Sequence, residues 1–328
     1  MESRPTEFDG IIGHEAVIEG LTGAFERDRV AHAYLFAGPD GIGKRRVAMA
    51  FLTLVCAGDD PKRAARVARA FAAENHPDLV KLEADGASIK IAQVREATRS
   101  LRFPPVEAAS RAILIDRAEL MREAAANALL KTLEEPSAKN IFVLLTSQPN
   151  ALLATVRSRC QQVRFTALPR ERVAQWLTSE KDVDADTADE LAGLSEGSLG
   201  AAESLLDPTV AALRDTWLDV LVKLPTASPI ELLEFAEAMG ASKASVPAVI
   251  DVLRVGLRDV MLRSAGVAED QLTFRRRASS FPVVSRRAAV TALDSLAEAE
   301  TAFYGNVNPR MIGEHLLLGL RRALSNPA

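Results

Sequence analysis

Cysteine is nearly absent from this 328-residue chain, with Cys56 and Cys160 the only two. Two thiols make no disulfide framework, and such usage fits a reducing cytoplasm. The four histidines (His14, His32, His76 and His315) have no metal-ligand spacing and read as structural. Aromatic residues are 5% of the chain, while alanine and leucine abound, which favours helix over β-sandwich. Basic residues are not in excess: the net charge is −4, which argues against a free-standing, tight binder of duplex DNA. No apolar run approaches the ~20 residues that a membrane span needs. The polar, acidic stretch Met1–Gly10 does not resemble a signal peptide. The expectation is a soluble cytoplasmic protein of two or three domains with no membrane contact.

What the chain does have is a phosphate-binding loop with one chemical part exchanged. After the apolar run Ala33–Ala37 comes Gly38-Pro39-Asp40-Gly41-Ile42-Gly43-Lys44-Arg45. Its glycines and lysine fit G-x-x-x-x-G-K, but the next position, which calls for Ser or Thr, is Arg45. In a working loop the backbone N–H groups cradle phosphates, the lysine reaches the β and γ oxygens, and the hydroxyl ligates Mg²⁺. A guanidinium has no lone pair for a metal. A second exchange concerns the same reaction. The buried-strand pattern Arg111–Ile115 ends in Asp116, as a metal-holding motif does, but Arg117 stands where a water-polarising glutamate is often found. Glu119 is close in sequence; the chain is expected to be entering a helix there, which would point its carboxylate elsewhere.

The first half alternates short apolar runs with helical patterns, the signature of a mostly parallel α/β sheet. Strands are expected at 33–37, 78–83, 112–116, 141–146 and 162–165, with helices at 43–57, 91–101 and 121–135. The last of these sets Met121, Ala125, Ala128 and Thr132 on one face and stops at Pro136. Beyond Phe165 the helical candidates 168–180, 185–194 and 199–206 form a small module, and from Pro208 the chain is helical except at 225–229 and 274–282. The expected domains are 1–166 (α/β), 167–207 (small, all-α) and 208–328 (larger, all-α).

Several segments together resemble the bacterial clamp-loader family: Ala125-Ala126-Asn127-Ala128-Leu129-Leu130-Lys131-Thr132-Leu133-Glu134-Glu135-Pro136, Ser158-Arg159-Cys160 (its "SRC" motif), His32–Phe36 and Ile11–His14. The likeness runs from about Phe8 to about Phe165 and continues more weakly through 306–320. It implies an AAA+ P-loop domain, a helical lid and a C-terminal helical collar. Within the family, Arg45, Arg117 and Gly200 (at the lid position that carries arginine in the gamma and tau motors) resemble the delta-prime branch. The resemblance implies a non-hydrolysing subunit of the DNA polymerase III assembly. Its implied partners are gamma/tau and delta, and through them the sliding clamp and primed DNA. Some relatives carry a four-cysteine zinc module after the first loop helix. Here Cys56 stands alone, and 61–76 is instead an arginine-rich helical stretch with Lys62, Arg63, Arg66 and Arg69, so no zinc is expected.

The resemblance makes Arg159 an arginine finger acting in trans on a neighbour's ATP, with Arg157 a weaker second; the plainer reading is a surface pair or helix cap. Gly38, Gly41, Gly43 and Lys44 keep the means to hold ATP or ADP, or else keep only the loop's shape; no cofactor is required. Thr146 matches a sensor position, or caps a turn. Asp116 is expected to hydrogen-bond locally and to hold no metal, and Cys160 to pack. The basic set Arg275, Arg276, Arg277, Arg286 and Arg287 is by default a solvated face. Leu316, Leu317, Leu318 and Leu320 are expected against partner subunits, although Leu316 and Leu320 also fit ordinary core. Two rivals remain open: a self-sufficient AAA+ ATPase of the gamma/tau type, and a nucleotide-sensing scaffold outside replication.

Overall fold

A computed structural model describes residues 6–57, 61–86, 88–135, 139–241, 245–305 and 307–325. The expected stop at Pro136 lies outside the described residues. The chain divides into two compact units, Met1–Arg172 with Gly197–Gly200, and Val173–Glu196 with Ala201–Ala328. Residues 167–207 are distributed over both.

The first unit is built on a parallel sheet of β1 (Ala33–Ala37), β2 (Leu79–Leu82), β3 (Arg111–Ile115), β4 (Asn140–Thr146) and β5 (Gln161–Arg164). Their order is β2-β3-β4-β1-β5. The strands begin and end within one residue of the expected positions. The outer strands β2 and β5 carry Lys81 and Gln161, Gln162 and Arg164, whereas the three central ones, β1, β3 and β4, are near-continuous apolar runs. Such runs belong to strands covered on both faces. Alternate side chains divide between the two faces. Tyr34, Phe36, Leu114 and Val143 pack with Val47 and Phe51 of α2 (Lys44–Ala57) and Val67 and Phe71 of α3 (Pro61–Ala72). Leu35, Ile113, Phe142 and Leu144 pack with Val94 of α4 (Ile91–Ser100) and Leu129 and Leu133 of α5 (Glu123–Glu134). The helix α1 (Glu15–Glu26) adds Ile18 and Leu21 to the first of these clusters, and the one-turn helix α6 (Ala154–Arg157) adds Val156 to the second.

One expected face needs correction. The helix α5 begins at Glu123, and its buried residues are Ala125, Ala126, Leu129 and Leu133. Met121 lies before it, in a bridge to Ile89, and Ala128 and Thr132 are only half-buried. Leu129 and Leu133 take the core positions expected of Ala128 and Thr132, because they remove more apolar area from water.

At the amino edge of β2 and β3, Asp78 is fully buried. Its carboxylate accepts from the backbone N–H groups of Val106 (2.8 Å), Glu107 (2.8 Å) and Ala108 (3.0 Å) and from Arg111 Nη2 (3.1 Å). Arg111 in turn donates to the carbonyls of Ser100 and Pro104. Burial pushes the Asp78 carboxyl up, but these donors together outweigh it and hold it below the ordinary carboxylate value.

The second unit is helical. It holds most of α7 (Arg170–Lys181) and α9 (Leu199–Ser204), with α8 (Ala185–Leu194), α10 (Pro208–Lys223), α11 (Pro229–Gly240), α12 (Val246–Ser264), α13 (Arg286–Tyr304) and α14 (Pro309–Leu324). The helix starts are encoded locally. Ser228 and Glu231 form a reciprocal capping box, Asp184, Asp207, Ser285 and Asn308 each accept a first-turn N–H, and Pro208, Pro229 and Pro309 stand in the first turn. Leu316, Leu317 and Leu320 are buried in this unit's own core beside Leu253 and Leu257. Of the leucines expected to face partners, only Leu318 is exposed.

The basic set does face solvent, Arg286 and Arg287 included, but three of its arginines also carry acidic partners. Arg275 pairs with Asp189, Arg276 with Asp184 (3.0 Å) and Asp186 (3.2 Å), and Arg277 with Asp219 and Asp215. The short 3-10 stretch Arg275–Ser280 therefore fastens the start of α8 and the middle of α10.

Candidate functional site

Parallel strands place the ends of β1, β3 and β4 side by side, so the phosphate loop, Asp116 and Thr146 meet at the carboxyl edge of the sheet. The loop is bound there by its backbone: Gly38 N–H donates to the Thr146 carbonyl at 3.1 Å. A Cβ at Gly38 would lie 2.4 Å from the Phe165 carbonyl oxygen, so only glycine fits. Gly41 and Gly43 have φ of 72° and 102°, the region that glycine enters without strain. His14 braces the turn with Nε2 2.7 Å from the Ile42 oxygen; a carbonyl only accepts, so this nitrogen carries the proton.

The loop's lysine is turned onto its own loop. Lys44 is buried, and Nζ donates to the Gly38 and Pro39 carbonyls, each at 2.6 Å, with Asp40 at 3.6 Å. Burial lowers its pKa, against the attraction of Asp40, Glu119 and Asp116. The carbonyl of Gly41 is also taken, by the Gly200 N–H at 3.0 Å.

Arg45 occupies the metal side of the loop. Its Nη1 donates to Asp116 Oδ2 at 2.8 Å, and its Nη2 donates to Glu74 at 2.8 Å and Glu83 at 2.9 Å. Lys81 Nζ adds a second cation, 2.7 Å from Glu74. The other Asp116 oxygen accepts the Arg117 N–H at 2.9 Å, so both carboxylate oxygens have protein donors. Glu74 and Glu83 lie outside the set expected from sequence. The register pairs Leu82 with Ile115, which puts Glu83 beside Asp116; two neighbouring strands each ending in an acid was the available signal.

Glu119 also departs from expectation. Arg117 adopts the left-handed conformation (φ 49°) and leads into a 3-10 turn at Ala118–Leu120 rather than directly into a helix. This reversal brings Glu119 back to the loop side. Ser147 Oγ donates to its Oε1 at 3.2 Å, its charge is felt at Lys44, and its Oε2 is buried without a partner among the described residues. The Thr146 hydroxyl accepts the Gln148 N–H at 3.0 Å, a turn cap.

Arg159 belongs to a different place. It precedes β5, so it sits at the amino edge of the sheet, while the phosphate loop comes after β1 at the carboxyl edge. Four strand residues alone separate the edges by about 13 Å. Arg159 Nη2 donates to Glu134 Oε1 at 2.5 Å and Nη1 to the Thr155 carbonyl at 2.8 Å. Arg157 is bound to the Pro149 carbonyl and Asn150. Cys160 is buried, and burial pushes its thiol up to about 12, which makes it a packing residue rather than a nucleophile.

Residues 13–169 match the family described as "DNA polymerase III, delta subunit". The delta-prime subunit of DNA polymerase III from Bacillus subtilis (strain 168) is 30% identical over 315 residues, covering 93% of this chain and 95% of that one. The chain belongs to the delta-prime family. The Escherichia coli (strain K12) delta-prime subunit is 31% identical over 258 residues, 76% of each chain. This delta-prime family member is a clamp-loader subunit with a parallel-sheet α/β unit and a helical unit. A gamma subunit-related protein of DNA polymerase III from Thermotoga maritima aligns over 92% of this chain and 98% of its own, with 17% identity and a TM-score of 0.48.

Proposed function

We propose that this delta-prime family member hydrolyses no ATP itself and serves the reaction of a neighbour. The observation that carries this is the Arg45–Asp116 pair. Phosphoryl transfer in P-loop proteins relies on Mg²⁺ held by the loop hydroxyl and the second-strand aspartate. Here the first is a donor-only guanidinium, and that guanidinium engages the second. The loop then keeps its shape as a brace between β1 and α2.

Arg159 is the residue proposed to act. Its guanidinium is at the opposite edge from its own loop, and among the described residues it donates to the Thr155 carbonyl and Glu134 with two of its five N–H groups, which leaves donors for a phosphate. An arginine supplied in trans to charge developing on the transferred phosphoryl contributes about 10³–10⁵ in rate. The subunit would sit beside gamma/tau motors and delta in the cytoplasm, with 1–166 as the AAA+ module, 167–207 as lid and 208–328 as collar. The assembly would open the sliding clamp for loading on primed DNA. Mg²⁺-dependent ATP turnover by the purified chain tests the first half: none is expected, and turnover abolished by Lys44→Ala would establish the self-sufficient motor instead.

A further inference from the structure

Two sequence segments that carry the family resemblance meet in space, and the proposed finger accounts for only one of them. Leu129 and Leu133 of α5 share a buried cluster with Val156 and Cys160. Cys160 therefore anchors the "SRC" segment under the end of α5, and the neighbouring residue, Arg159, turns outward to Glu134, the last residue of α5. We propose that Glu134 is a positioning residue for the Arg159 guanidinium. This rests on reading Arg159 as a finger that acts in trans.

The geometry is that of a held but open cation. The Thr155 carbonyl fixes one side of the guanidinium (2.8 Å) and also accepts from Ser158 Oγ (3.2 Å). The Glu134 carboxylate fixes another side at 2.5 Å. A long arginine side chain has many rotamers to lose, and two fixed contacts remove that freedom before a phosphate arrives. The carboxylate is also poorly placed for its own helix. It sits at the C-terminal end, where the macrodipole disfavours negative charge, and Arg159 offsets that disadvantage. Arg157, by contrast, meets only neutral oxygens among the described residues, so the carboxylate singles out Arg159.

The test measures ATP turnover in the assembly of motor subunits, delta, clamp and primed DNA, with the full chain as wild type, Arg159→Ala, Glu134→Ala, Glu134→Gln and the Glu134→Ala/Arg159→Ala double variant. Incorporation of each is checked by size exclusion. Glu134→Ala is expected to lower kcat on the order of 10-fold with KM for ATP unchanged, the signature of a misplaced catalytic group. Glu134→Gln, whose amide oxygen still accepts a hydrogen bond, should recover most of that loss. The double variant should match Arg159→Ala alone, since both changes act through one guanidinium. Wild-type turnover with Glu134→Ala would overturn the proposal by leaving an ordinary surface pair. Faster turnover would overturn it by making Glu134 a restraint, and additive losses would overturn it by making the roles independent. If Arg159→Ala itself turns over normally, the finger reading fails, and the positioning role fails with it. Loss with Arg159→Ala but not with Glu134→Ala removes only the positioning role.

Discussion

At the scale of the residue, Arg45 decides most. Its side chain is about a third exposed, so its three carboxylate contacts lie between a screened surface pair and a buried one. Arg45→Ala should cost about 1–2 kcal/mol in urea unfolding, and it leaves Glu74, Glu83 and Asp116 without their shared cation. The negative half of this role was legible in the sequence, because a guanidinium cannot ligate a metal wherever it sits. The positive half was not. Glu74 carries no local signal, and Glu83, although an acid at the end of a strand, meets Asp116 only through the β2–β3 register. Glu119 escapes a sequence reading for a similar reason: a single left-handed residue, Arg117, redirects it, and a non-glycine in that conformation is not foreseeable from periodicity.

At the scale of the element, β1, β3 and β4 were legible as apolar runs with two covered faces. The helix starts beyond Pro208, marked by Ser, Asp or Asn caps and in α10, α11 and α14 by proline, were not separated in the sequence reading. The loop between α4 and β3 was not legible either, because Asp78 and Arg111 order it from a distance. Asp78→Ala should cost about 3–5 kcal/mol, as removal of one partner of a buried pair does. It should also speed hydrogen exchange at Val106, Glu107 and Ala108. Because the folded-state pKa of Asp78 is depressed, its contribution is full above the ordinary carboxylate range. It is lost as pH falls through the depressed value. Acid unfolding of the wild type should therefore be steeper than that of Asp78→Asn. The basic run behaves as an element too. Replacing Arg275, Arg276 and Arg277 by alanine should cost about 1–2 kcal/mol in total, given half-exposed pairs, and leave the chain's affinity for DNA unchanged. A large fall in DNA affinity would return those arginines to nucleic-acid contact.

At the scale of the whole molecule, the chain combines a phosphate loop filled by its own side chains with an arginine displayed at the other edge of the same sheet. That separation is a consequence of parallel topology, since the segment leaving β1 and the segment entering β5 must lie at opposite edges. It supports a division of labour in which the fold of a motor is kept while its chemistry is supplied to another subunit. The measurement that tests this most directly is ATP hydrolysis by gamma/tau with delta, clamp and primed DNA, to which wild-type chain or Arg159→Ala is added. Stimulation by wild type and its loss, by about 10³-fold or more, with an Arg159→Ala variant that still assembles is the predicted result. Equal stimulation by both would contradict it and leave the chain a scaffold.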